Sequence, residues 1–271
     1  MIKRTLTGAA ITAIVVGFFF LRKLDVRYFD VLILALAVIG TIEMVKAGGD
    51  KCTTVQKILT CLFPILFFEC WIFLSWKISL IVAVGYCLVN TSLLVIDYKH
   101  TSLEGLAYSF LCAIYPSVFL APCMLVNQMA TNAFIALVLI FLISPCADTM
   151  AYVVGITFKG KKMCPEISPK KTISGGIGGL IGGILGSVIF YFIIKDSFVY
   201  GYDFPAWLFF ALVGLFGALL TEFGDLVESV MKRKMKIKDM GKLLPGHGGI
   251  MDRIDGLLFA SPFIYFIFAI I

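Results

Sequence analysis

Long apolar runs return along this chain from Leu6 to Ile271, and no polar stretch between them is long enough to build a separate globular domain. A bilayer core about 30 Å thick is crossed by about 20 apolar residues in a helix, and every backbone N–H and C=O at that depth must be bonded within the protein. Recurrence of such runs leaves a bundle of membrane helices as the fold: all-α, polytopic, with about nine spans. Composition agrees. Of 271 residues 60% are apolar and 15% charged, against about 45–50% and about 25% in soluble domains. A soluble enzyme on a single anchor is excluded, and polar chemistry has to sit in loops or between helices.

The runs are Leu6 to Leu21, Tyr28 to Val45, Ile58 to Leu74, Ile78 to Ile96, Leu103 to Val126, Asn132 to Val154, Gly175 to Ile194, Ala206 to Phe223 and Ile254 to Ile271. Only Trp76-Lys77 separates the third from the fourth, and merging them would reverse the last helix. The opening Met1-Ile2-Lys3-Arg4 before an apolar run looks like a signal peptide, but no small-residue cleavage site precedes Arg22-Lys23 and further spans follow. It is expected to remain as the first helix.

Under nine spans, Arg22, Lys23, Arg27, Lys77 and Lys195 fall on one side, and the remaining 18 of the 23 Lys and Arg (23 − 5) on the N-terminal side. Basic residues are retained in the cytoplasm, so the N-terminus and the polar segments 157–174 and 225–253 are expected there. The eight cysteines form no CxxC pair and mostly lie in apolar runs, which reads as small buried hydrophobes with neither a disulfide framework nor a zinc site. In the seventh run Gly175, Gly179 and Gly183 recur four apart, as do Gly178, Gly182 and Gly186. Two faces of that helix are thereby open to close packing.

Gly155 to Lys162 has the spacing of a phosphate-binding P-loop, but Lys162 stands where Ser or Thr must hold magnesium, and an apolar helix precedes it where a strand is needed. Its basic content remains: five lysines between Lys159 and Lys171 suit either an anionic lipid surface or a bound polyphosphate. Asp148, Glu222 and Asp225 lie near or within apolar segments, where a carboxylate requires a cation or water; a lysine partner or a functional role would each supply it. If the eighth helix continues, Asp225, Ser229, Lys232 and Lys236 line one face, a set able to hold a metal and a phosphate together. Leu244-Pro245-Gly246-His247-Gly248-Gly249 then breaks the helix, and its glycines leave N–H groups able to approach an anion. Asp252 and Asp255 open the last span three residues apart. Oxygen ligands without a Cys/His cluster favour magnesium over zinc.

The 27 residues Ser229-x-Met231-Lys232-Arg233-x4-Lys238-Asp239-x-Gly241-x2-Leu244-Pro245-x-His247-Gly248-Gly249-Ile250-x-Asp252-Arg253-Ile254-Asp255 resemble the hallmark pattern of the phosphatidate cytidylyltransferases, also called CDP-diacylglycerol synthases. Ala147-Asp148-Thr149-x-Ala151-Tyr152 and Ile167-Ser168-Pro169-Lys170-Lys171-Thr172 are also similar to that family. Ser174 departs from its usual Glu, and Phe158-Lys159-Gly160 from its frequent Phe-Gly-Lys. The N-terminal half matches only as a hydrophobic scaffold. Residues 1–130 are therefore expected to be a transmembrane scaffold and 131–271 the catalytic region, within one continuous membrane domain.

The resemblance implies that CTP and phosphatidate give CDP-diacylglycerol and pyrophosphate with Mg2+, with room for a second metal ion. In that reading Asp225 and Asp252 are expected to hold the metal, with Asp255 and Asp148 as additional ligands or supporting partners, and Lys232, Arg233, Lys238, Asp239, His247 and Asp255 are the expected catalytic residues. Ser229, Gly248, Gly249 and Arg253 would position substrate, and Lys170 and Lys171 would meet the phosphatidate or triphosphate. Its partners are CTP, phosphatidate and the lipid bilayer, with no nucleic acid; a homodimer is left open. The expected setting is a multi-pass plasma membrane protein with its active site facing the cytoplasm, a bacterial membrane being favoured over an organellar one. Two rival readings are a CTP-dependent polyprenol or dolichol-type lipid kinase, and a secondary transporter using Asp148 and Asp225 as ion-coupling sites.

Overall fold

Each uninterrupted apolar run closes into a helix, because a backbone that bonds to itself is the form that hydrocarbon tolerates. The structure, a computed structural model, describes residues 2–271 and side chains from Leu6 onward. Met1 and the side chains of Lys3 and Arg4, which entered the charge count above, lie outside the described residues. The helices are α1 (Ile2–Leu21), α2 (Arg27–Ala47), α3 (Thr54–Phe73), α4 (Trp76–Ile96), α5 (Leu103–Asn127), α6 (Ala133–Phe158), α7 (Ile173–Ile194), α8 (Ala206–Lys234) and α9 (Met251–Ile270). Among the described residues eight of them, α2 to α9, are long and apolar enough to cross a membrane, and Leu6–Leu21 is a shorter apolar helix. The protein is an all-α polytopic membrane protein. Among the described residues it carries one strand pair, β1 (Lys162–Cys164) with β2 (Ser168–Thr172).

The narrow third boundary is real. The amides of Leu74 and Ser75 both donate to the Cys70 carbonyl, at 3.0 and 2.9 Å, which ends α3 before α4 begins at Trp76. Thr53 and Gln56 cap the start of α3 reciprocally, the Gln56 N–H on Thr53 Oγ1 (3.3 Å) and the Thr53 N–H on Gln56 Oε1 (3.0 Å). At the polar ends the helices outrun their apolar segments: α6 continues to Phe158 and α8 to Lys234, so Asp148 lies well inside α6.

The chain forms two compact units, one of Met1–Ala121 with Ile237–Arg253 and one of Pro122–Lys236 with Ile254–Ile271. In the first, α2 packs on α1 and α3, and α3 on α4. Its core is Phe29, Ile33 and Met44 of α2 with Phe63, Phe67 and Phe68 of α3. Thr60, Tyr86, Asn90 and Ser109 tie α3, α4 and α5 together: Asn90 Nδ2 donates to Ser109 Oγ at 2.6 Å and the Tyr86 hydroxyl to the Ser109 carbonyl at 3.0 Å. Such bonds replace those that water would make outside the bilayer. On α4, Leu80, Ile81, Val84 and Leu88 are exposed, as expected of a lipid-facing surface.

In the second unit α7 lies between α6 and α8. A Cβ at Gly182 would stand 2.5 Å from the Cys146 carbonyl oxygen and 2.6 Å from Met150 Cβ of α6, and one at Gly183 would stand 2.5 Å from Ala218 Cβ and from the Gly214 carbonyl oxygen of α8. The two glycine faces serve two neighbours. The antiparallel hairpin between α6 and α7 pairs Lys162 with Thr172 and Cys164 with Ser168. Thr172 then caps α7, its Oγ1 accepting from the Gly175 amide at 3.1 Å.

Candidate active site

The polar face of α8 is built at helical spacing, with Glu222, Asp225, Glu228, Ser229 and Lys232 falling three or four residues apart. Opposite it, α9 approaches closely because two glycines flank the acidic positions. A Cβ at Gly224 would lie 2.6 Å from the Asp255 carbonyl oxygen, and one at Gly256 would lie 2.5 Å from Thr221 Cγ2 of α8. This contact carries Asp255 onto α8. One carboxylate oxygen each from Asp225, Glu228 and Asp255 lie within 4.8 Å of one another, and Glu228 is fully buried.

Two ammonium groups brace the trio. Lys171, from β2, meets Asp225 Oδ2 at 2.6 Å, and Lys232 meets Glu228 Oε2 at 2.6 Å. Ser229 Oγ donates to Asp225 Oδ1 at 3.3 Å, and Asp255 Oδ1 accepts from the Gly256 amide at 2.8 Å. Three carboxyl groups set against two ammonium groups amount to a formal excess of one negative charge. Three hard oxygen donors with that residual charge fit a divalent cation of the magnesium type.

Lys171 also borders a cavity of about 750 Å³ in the same unit, lined in addition by Asp148, Glu222, Lys159, Lys162 and Lys170. The Glu222 carboxylate reaches it across the glycine face of α7, where a Cβ at Gly176 would come within 3.2 Å of Glu222 Oε2. Ser174, at the position of the family's usual glutamate, donates from Oγ to the Lys159 carbonyl at 3.3 Å. A chamber with four lysines at its wall is suited to an anionic ligand.

The segment after α8 folds on the protein's own carboxylates. Asp252 Oδ2 accepts from the amides of Gly249 (2.8 Å), Met240 (3.0 Å) and Gly241 (3.5 Å). The Gly249 N–H, expected to be open to an external anion, is thus occupied internally. Glu43 Oε2, from α2, accepts from the Met251 amide at 2.9 Å. Gly246 and Gly248 adopt φ of +80° and +85°, in a turn closed by the His247 amide on the Leu244 carbonyl at 2.9 Å. The φ values there demand glycine.

The residues expected from sequence therefore separate. Asp225, Ser229, Lys232, Asp255 and Lys171 come together around the trio; Asp148 and Lys170 line the cavity. Asp252 and Gly249 serve the loop, with Asp252 bonded to loop amides while Glu228 completes the trio. Arg233 is exposed and donates from Nε to the Ile167 carbonyl at 3.1 Å. Lys238, Asp239 and Arg253 are exposed, His247 and Gly248 half-buried. Sequence reasoning passed over Glu228 and Glu43. For Glu228 a signal existed, the i, i+3 step from Asp225 and the i, i+4 step to Lys232; for Glu43 nothing local announced a partner 208 residues away.

The sequence profile of the cytidylyltransferase family matches residues 2–271. The chain is similar to the phosphatidate cytidylyltransferases of Bacillus subtilis (40% identical over 123 residues, 45% of this chain and 43% of that protein) and Thermotoga maritima (38% over 125 residues, 46% and 45%). The Rickettsia felis phosphatidate cytidylyltransferase is 37% identical over 131 residues, 48% of this chain and 57% of that protein. The chain spans about half the length of the curated relatives it matches.

Proposed function

The chain belongs to the cytidylyltransferase family, and from that premise we propose that it transfers the cytidylyl group of CTP to phosphatidate, giving CDP-diacylglycerol and pyrophosphate at the cytoplasmic face of a bacterial plasma membrane. The observation that carries the reading is the Asp225, Glu228 and Asp255 trio braced by Lys171 and Lys232 beside a lysine-lined cavity. An oxygen of the lipid phosphate attacks the α-phosphorus of CTP, the bond from that phosphorus to the bridging oxygen breaks, and pyrophosphate leaves with the electron pair. The attacking oxygen is already anionic at neutral pH, so no strong base is needed. The difficulty is bringing two anions together, and the chain's cations meet it.

Asp225, Glu228 and Asp255 would hold magnesium, which when bound neutralises the triphosphate and polarises the reacting phosphorus. Lys171 links the trio to the cavity, where Lys159, Lys162 and Lys170 receive phosphate charge. Ser229 fixes the orientation of Asp225. The exposed Arg233 assists the entering nucleotide, and Asp252 shapes the loop that precedes α9.

Purified protein supplied with CTP, magnesium and phosphatidate should form CDP-diacylglycerol, with label from the α-phosphate of CTP entering the lipid. Entry of γ-phosphate label would make the protein a lipid kinase. Asp225→Asn and Asp255→Asn should each lower the rate at least about a hundredfold. Undiminished turnover with divalent cations chelated would overturn the metal assignment.

A further inference from the structure

Glu43 lies on α2, is 6% exposed, and accepts from the Met251 amide at 2.9 Å. That amide opens α9, where helix N–H groups have no partner within the helix and favour negative charge. Two glycines from the segment before α9 close over the same carboxylate. A Cβ at Gly241 would stand 2.8 Å from Glu43 Cγ, and one at Gly249 would stand 2.6 Å from Glu43 Oε1. Neither glycine has the positive φ of Gly246 and Gly248. Backbone conformation does not require glycine at 241 or 249; the volume of the carboxylate does.

We propose that Glu43 is a positioning residue for the cytidylyl transfer: residues 240–251 fold around its carboxylate, and Gly241 and Gly249 are glycine in order to admit it. The inference rests on the function proposed above for its kinetic consequence, but its structural content stands apart from it. A helix expected from sequence to belong to the transmembrane scaffold then sets where residues 240–251 lie and where α9 begins.

The test is a double-variant cycle in the full-length protein, read by amide hydrogen exchange of residues 240–251 and by kcat and KM for CTP. Glu43→Ala should speed exchange of that segment and lower kcat at least about tenfold, while Glu43→Gln, which keeps an acceptor of the same shape, should stay within about threefold of the natural protein. Gly241→Ala should be as damaging as Glu43→Ala alone, yet add little in the Glu43→Ala background, because the obstacle is gone. Exchange in α7 should not change, which reports an intact fold. If Glu43→Ala does not accumulate, Glu43→Asp takes its place in the cycle. Additive effects of the two substitutions, or natural exchange and kcat in Glu43→Ala, would overturn the proposal. A natural protein that makes no CDP-diacylglycerol would remove the function proposed above, while the exchange cycle would still decide whether Glu43 seats the segment.

Discussion

Glu228 is fully buried in a helix that crosses the membrane, and its nearest formal charges are the Lys232 ammonium at 2.6 Å and two further carboxylates. Removing one member of a buried ion pair strands the other, at a cost of about 3–5 kcal/mol, whereas removing both in favour of apolar groups of similar size is often neutral. Lys232→Met should therefore destabilise the protein by about that amount, and Glu228→Leu added to it should restore most of the loss. Thermal unfolding in detergent measures both; a double variant less stable than Lys232→Met would refute the pairing. The same residue explains a limit of sequence reasoning. Asp225 is visible beside an apolar run and Lys232 within a basic stretch, but Glu228 gains its meaning only from α9, which the Gly224 and Gly256 contacts bring close.

Among the elements, α7 shows most plainly how spacing becomes packing. Gly183 and Gly214 face one another so closely that a Cβ at Gly183 would stand 2.5 Å from the Gly214 carbonyl oxygen, while Gly85 of α4 has nothing within 4 Å. Gly183→Ala should destabilise by about 1–3 kcal/mol through overpacking, and Gly85→Ala should stabilise by about 0.5–1 kcal/mol through helix propensity. Equal effects of the two substitutions on thermal unfolding would discard the packing account. The helices themselves were legible because hydrocarbon solvent forces every long apolar run into one form, while the break expected at Trp76-Lys77 falls two residues earlier, at Leu74 and Ser75. The hairpin of Lys162–Cys164 with Ser168–Thr172 was not legible. Its strands are three and five residues long, too short for an alternating pattern, and they are held by the ends of α6 and α7.

Across the whole molecule charge is scarce and unevenly placed: 11 of the 23 Lys and Arg lie between Lys159 and Lys171 or between Lys232 and Lys242. Basic residues resist translocation, so both stretches should face the cytoplasm. Trypsin added to sealed vesicles should cut there when the cytoplasmic face is outward and spare those sites in vesicles of the opposite orientation. Cutting in the reverse pattern would invert the topology. This orientation is an expectation that sequence alone can supply, because it depends on counts of basic residues. The loop around Glu43 is not, since its partners are set by folding.

The bond between Glu43 and Met251 joins residues 208 apart in sequence, and this separation has a consequence for biosynthesis. A ribosome adds about 5–20 residues per second, so α2 enters the membrane tens of seconds or less before its amide partner exists, carrying a carboxylate with nothing yet to receive it. The signature segment is consequently among the last parts of the chain to acquire its form. A C-terminal fragment expressed alone would carry every residue of the 27-residue pattern and still lack the group around which its glycines close.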